Sequence, residues 1–191
     1  MLMEADWEVE IGPESPIIDA SWPGFIDLRR APHRIHEIEE VSRFPQLAKA
    51  LVRLNGSCPN EDAIAIDNAI SGIWTSKCDV WTLDQCDPYE MDATVEEATT
   101  GLACYLDLLP RHELVFTEVS AAQAWARTVV ARLMLSEIRC CRADLIIRSA
   151  IARQTEGFGI TAYLSACGRE PDFAAQTLDT ALNALADAVC C

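Results

Sequence analysis

The sequence predicts a single-domain α+β fold: a mainly antiparallel, four-stranded sheet made by a strand-strand-helix unit used twice, with helices packed on one face. Three observations predict it. Segments near 73–83, 101–109, 140–150 and 157–167 alternate apolar and polar residues with the period of a half-buried strand. Segments near 120–137 and 171–189 carry apolar residues at helical spacing. Finally, ACYLDLLPRHE (103–113) lines up with TAYLSACGREP (161–171), matching Tyr105 to Tyr163 and Arg111 to Arg169, as two halves about an approximate twofold axis would.

The elements follow in order, with an N-terminal extended and helical segment over 1–56 and the core unit over 73–189. Gly12, Pro13, Pro16, Pro23 and Gly24 punctuate WEVEIG and PIIDASWPGFIDL, which predicts short strands or extended chain. From Pro32 the spacing of Ile35, Ile38 and Val41 turns helical. Pro45 then opens a second helix with Leu47, Leu51 and Leu54 as its buried stripe and Asn55-Gly56 as its stop. Residues 57–72, around EDAIAIDNAI, suit a loop or a short helix. Ser120 with Gln123 predicts a capping box at the start of the first long helix, whose apolar face is Val119, Ala122, Ala126, Val129, Val130 and Leu133. The second starts at Pro171 and buries Leu178, Ala181, Leu182, Leu185 and Val189. Gly157-Phe158-Gly159 is expected to be turn punctuation at a strand start.

WTSKCDVW (74–81) sets a cation, a thiol and a carboxylate side by side. In a strand they separate, because successive side chains point to opposite faces. Cys78 is expected with Trp74 and Val80 on the apolar side, as a small buried hydrophobe rather than a nucleophile. Lys77, Asp79 and Trp81 take the other side. The same alternation sends Tyr105, Asp107, Arg142, Asp144, Arg148, Thr161 and Tyr163 to that face. Lys77, Asp79, Trp81, Tyr105, Asp107, Arg148 and Tyr163 are therefore the candidate ligand-binding residues. The rings stack on a planar or peptidic group, and the guanidinium takes a carboxylate bidentately. The N-terminal segment and the helices of 32–55 are candidate roofs over this face. On a purely structural reading the face is solvated, and pairs such as Asp107 with Arg148 stabilise the sheet.

Composition narrows the function. The formal net charge of −15 argues against direct binding to nucleic acid, which needs clustered Lys and Arg. The first residues, MLMEADWEVE, lack the basic and apolar regions of a signal peptide, and no apolar run reaches membrane-spanning length. A cytoplasmic location with mostly reduced cysteines is expected, the odd count of nine fitting a closed disulfide framework poorly. No dinucleotide fingerprint or phosphate loop is present, so no cofactor is expected. No metal site is expected either. His33 and His36 in HRIH lack further ligands, and Cys140-Cys141 and Cys190-Cys191 are adjacent rather than spaced for zinc. The acidic stretch DQCDPYEMDATVEE (84–97) lacks calcium-loop order and is expected to be a solvated loop. The expected function is a non-catalytic binding or accessory protein whose partner is a peptide, protein or small-molecule ligand. The alternatives are an enzyme using Asp79, Asp107, Arg148 and Tyr163 as acid-base and anion-holding groups, and an acidic mimic of nucleic acid.

Overall fold

A computed structural model describes residues 3–56, 73–152 and 154–190. The stretch 57–72 and Cys191 lie outside the described residues. The fold is α+β with a mixed, six-stranded sheet. Strands β1 (Glu4–Glu10) and β2 (Ile18–Asp19) lead into a 3-10 turn (Pro32–Glu37) and helices α1 (Glu39–Arg43) and α2 (Gln46–Asn55). Then come β3 (Ile73–Leu83), β4 (Thr100–Pro110), α3 (Glu113–Thr117), α4 (Val119–Leu133), β5 (Cys141–Ala152), β6 (Thr155–Gly168) and α5 (Pro171–Cys190).

The strand order is β1-β5-β6-β4-β3, and β2 also pairs with β5. The four alternating segments form the antiparallel pairs β3-β4, β4-β6 and β5-β6. The expectation of a four-stranded, mainly antiparallel sheet is corrected at β5. There β1 pairs in parallel from Arg142 to Arg148, and β2 continues in parallel at Ala150 and Ile151. Such a pairing depends on a partner far along the chain, and local alternation does not encode it.

One face of the sheet holds the main core. Cys78, Val80, Cys104, Leu106, Leu108, Leu145, Ile147, Ile160, Ala162 and Leu164 pack there against α2, α4 and α5. Leu47, Leu51 and Leu54 are buried on α2, and Leu178, Ala181, Leu182 and Leu185 on α5, as their spacing predicts. Helix α2 therefore belongs to the core layer, tied to α5 by the Arg53–Asp187 ion pair, and it does not roof the polar face. The expected capping box is absent: α4 begins at Val119 behind Glu118, with no side-chain cap, because α3 runs almost directly into it.

Three further corrections concern the opposite face. A register shift between Thr75 and Lys77 interrupts the alternation of β3, so Trp74 does not share a face with Cys78. Trp74 instead joins Ile18, Leu109 and Ala150 in a second apolar cluster, with Phe25 and Phe116 against it. Gly157 and Gly159 lie inside β6 rather than in a turn, paired with Ala150 and Arg148. A Cβ at Gly159 would stand 2.8 Å from Ile18 Cδ1 and 3.0 Å from the Leu108 carbonyl oxygen, so the glycine makes room for the Ile18 side chain of β2 on this face. The stretch 84–97 is not simply solvated. Met91 is buried, and with Ala98 and Cys167 it forms a third cluster at the other end of this face. Thr94 and Glu97 also bond reciprocally there, main chain to side chain, at 3.0 and 3.2 Å.

Candidate functional site

The exposed sheet face thus runs from apolar to polar to apolar, and the pairing registers lay out its polar middle in rows. Trp74 pairs with Leu109 at the head of β3 and β4, just past the last β4-β6 pair, and Gly159, Arg148 and Glu10 form the first row across β6, β5 and β1. Lys77, Asp107, Thr161, Ile146 and Glu8 form the next. Asp79, Tyr105, Tyr163, Asp144 and Asp6 follow, then Trp81, Ala103, Ser165, Arg142 and Glu4. All the candidate residues therefore share one face.

An open cleft of about 290 Å³ sits at the first three rows. Lys77, Tyr105, Asp107, Arg148, Thr161 and Tyr163 form its floor, and Pro16, Ile17, Asp19 and Trp22 from the N-terminal segment form its wall. Of the two roofs considered, this segment borders the cleft, whereas the helices of 32–55 meet the face at its β3 edge, through Arg43 on Asp79. Asp19 holds the turn by accepting from the Ser21 hydroxyl and main-chain N–H at 2.6 and 2.8 Å. Trp22 is anchored by its Nε1–H, which donates to the Ser76 carbonyl at 3.0 Å. A Cβ at Gly24 would run into the Trp22 ring, so the glycine permits its folded-back position. Asp19 and Trp22 were not among the expected site residues. Their only sequence signal is the turn chemistry of DASWPG, which marks a bend and not what the bend faces.

Arg148 is 9% exposed. Its Nη2 donates to Glu10 Oε2 at 2.8 Å, across the register pair between β5 and β1. The guanidinium lies 5.8 Å from the Tyr163 ring centroid, and its Nε is buried with no hydrogen-bond partner among the described residues. The expected Asp107–Arg148 pair is replaced by this Glu10 contact, because Asp107 sits one row away, opposite Lys77 and Thr161. Thr161 Oγ1 donates to Asp107 Oδ1 at 2.7 Å.

Burial pushes the Asp107 carboxyl above its ordinary value of 3.8, against the opposing pull of the Thr161 hydroxyl and of Arg148 and Lys77. The folded protein therefore holds this proton more tightly than the unfolded chain does. Between the ordinary value and the raised one, stability falls as pH rises. Asp107→Asn keeps an acceptor for Thr161 and removes the charge. It is expected to melt at or above wild type at pH 7, with the advantage shrinking as pH drops through the raised value. Thermal melts across pH check this.

Tyr105 links the rows: its ring centroid lies 6.3 Å from that of Trp81 and 6.0 Å from that of Tyr163. Lys77 places its ammonium 5.7 Å from the Trp22 ring. Asp79 and Trp81 lie outside the cleft lining. Asp79 accepts from Arg43 Nη2 at 2.7 Å and from the Val80 N–H at 2.7 Å.

Cys78 and Cys104 lie in the core on the far side of the sheet, as alternation predicts. Burial pushes the Cys78 thiol up to about 12, with Glu40, Asp79 and Asp107 adding to the shift, and raises Cys104 as well. A thiol reagent applied to the native protein is expected to modify the half-buried Cys86 and Cys140 before Cys78 or Cys104. Cys78→Ser should cost about 1–3 kcal/mol by burying a hydroxyl in apolar surroundings. Rapid native labelling of Cys78 would contradict the face assignment.

His33 and His36 are exposed on the 3-10 turn, with His36 Nδ1 2.8 Å from the His33 carbonyl oxygen. Among the described residues no group of three or more His, Cys, Asp or Glu side chains is placed to hold a metal ion. No helix among them is long and apolar enough to cross a membrane. No protein family, no curated protein and no solved structure matches this chain.

Proposed function

We propose that this chain is a non-catalytic binding protein that takes a small molecule or the end of a peptide in the cleft between the 16–22 segment and the sheet. One observation carries the reading. Arg148, almost fully buried, stands in the cleft floor with its Nε unpartnered among the described residues, one row from a carboxyl group whose burial is itself unfavourable. A buried donor without an acceptor costs about 1–3 kcal/mol, and a ligand acceptor offsets that cost.

The enzyme reading has less support. Asp79 is committed to Arg43 and lies outside the cleft, so the carboxylates of Asp79 and Asp107 do not converge on one reacting atom. The core thiols point away from it, on the helix-covered face. A nucleic-acid mimic needs free, phosphate-like carboxylates, whereas Asp27, Glu37, Asp79 and Asp144 are each held by an arginine. We also infer an approximate twofold relation between the two strand-strand-helix halves. The register pair Tyr105–Tyr163 at the centre of the β5-β6-β4-β3 order supports it.

A small-fragment library read by thermal shift tests the binding reading on wild type, Lys77→Met and Tyr163→Phe. Fragments that stabilise wild type are expected to lose that effect in the variants, whose own melting temperatures stay near wild type. Hits that stabilise all three proteins equally would overturn the assignment of the cleft.

A further inference from the structure

The lining of the cleft points to the kind of ligand it takes. Its charged side chains are Lys77 and Arg148 on one hand and Asp19 and Asp107 on the other, so the formal charges cancel. A ligand of one sign would gain from one pair and be repelled by the other. Each pole also keeps unused bonding capacity among the described residues. Arg148 uses only Nη2, toward Glu10. Lys77 makes no ion pair. Asp107 accepts from Thr161 through Oδ1, leaving Oδ2 without a side-chain donor. The rings of Tyr105 and Tyr163 occupy the next row beyond Lys77 and Asp107, and Trp22 stands in the wall. The volume of about 290 Å³ falls just below the range for small-molecule sites, roughly 300–1,000 Å³, which suits a small ligand.

We infer that the cleft takes a small zwitterion of the amino-acid class, with its carboxylate at Arg148 and Lys77, its ammonium at Asp107, and its side chain against the tyrosine rings. The inference rests on the reading of the cleft as a ligand site. The guanidinium suits the carboxylate because its planar fork offers donors in carboxylate geometry. Asp107 suits the ammonium because it is the one cleft carboxylate set in the sheet floor, paired with Lys77 and one row from Arg148. Bringing an ammonium there compensates the burial that otherwise works against its ionised form. Solvent screens the open side of the cleft, so affinity depends on engaging both poles at once.

The test uses the full chain, the standard amino acids and the two halves of whichever binds best: the same molecule without its amino group, and without its carboxyl group. Binding is followed by titration calorimetry and located by amide shifts in two-dimensional NMR. The expected result is one or more amino acids that shift the amides around Thr161 and Tyr163, with each half-ligand at least tenfold weaker. Asp107→Asn is expected to lower the affinity of the amino acid by a larger factor than that of the des-amino acid. Lys77→Met is expected to affect the amino acid more than the decarboxylated amine. A des-amino acid or an amine that binds as tightly as the zwitterion overturns the inference while leaving the cleft a ligand site. If no amino acid binds, the inference also falls. In that case the fragment hits decide separately whether the cleft binds anything.

Discussion

Ile147→Ala is expected to lower the free energy of unfolding by about 2–5 kcal/mol, the usual cost of emptying a filled core position. Ile147 is fully buried on β5, the strand that joins β1 and β2 in parallel on one side to β6 in antiparallel on the other. Its side chain belongs to the cluster shared with α2, α4 and α5, and few neighbours can relax into the space it leaves. Chemical denaturation should show one cooperative transition at a lower midpoint, with the slope retained. A change below about 1 kcal/mol would mean that the helices do not pack on this face, and the cleft would lose its rigid floor.

Arg148→Lys, one residue along and on the other face, should combine two effects. The guanidinium is buried, bonded to Glu10 and stacked near Tyr163. Lysine retains the charge but neither the planar fork nor the second direction of donation. A stability loss of about 1–3 kcal/mol follows from weakening a charge-assisted bond in a largely desolvated place. A surface arginine would instead change stability by less than about 0.5 kcal/mol. Binding of a carboxylate in the cleft should fall more than tenfold. Both quantities come from melting and titration of the same protein. A variant as stable as wild type, with unchanged binding, would place Arg148 outside any functional role.

Much of this was legible in the chain because the middle of each strand in the 73–168 region is buried on one side only. In β4, Cys104, Leu106 and Leu108 against Tyr105 and Asp107 is a pattern that only a half-buried strand explains, and the structure places those residues accordingly. The burial pattern of β5 follows the same rule up to Ile147 and then departs from it. Arg148 and Ala150 are buried on the ligand face because β2 and Ile18 lie over that end of the sheet. Local alternation cannot register a strand of two residues that reaches its partner across most of the chain. The bulge near Ser76 was hidden for a related reason: one extra residue reverses the facing of everything before it, and nothing in WTSK marks the position. Asp19 and Trp22 stood in a stretch legible only as turns, so the wall of the cleft emerged from the structure and its floor from the sequence.

The most direct measurement is a crystal structure of the protein soaked with a mixture of small polar fragments. Density is expected between the Trp22 wall and the Tyr105–Tyr163 floor, with an acceptor atom of the fragment within hydrogen-bonding distance of Arg148 or Lys77. Fragments bound only elsewhere, with ordered water satisfying Arg148 Nε and filling the cleft, would contradict a ligand role and leave the face as a solvated side of the sheet.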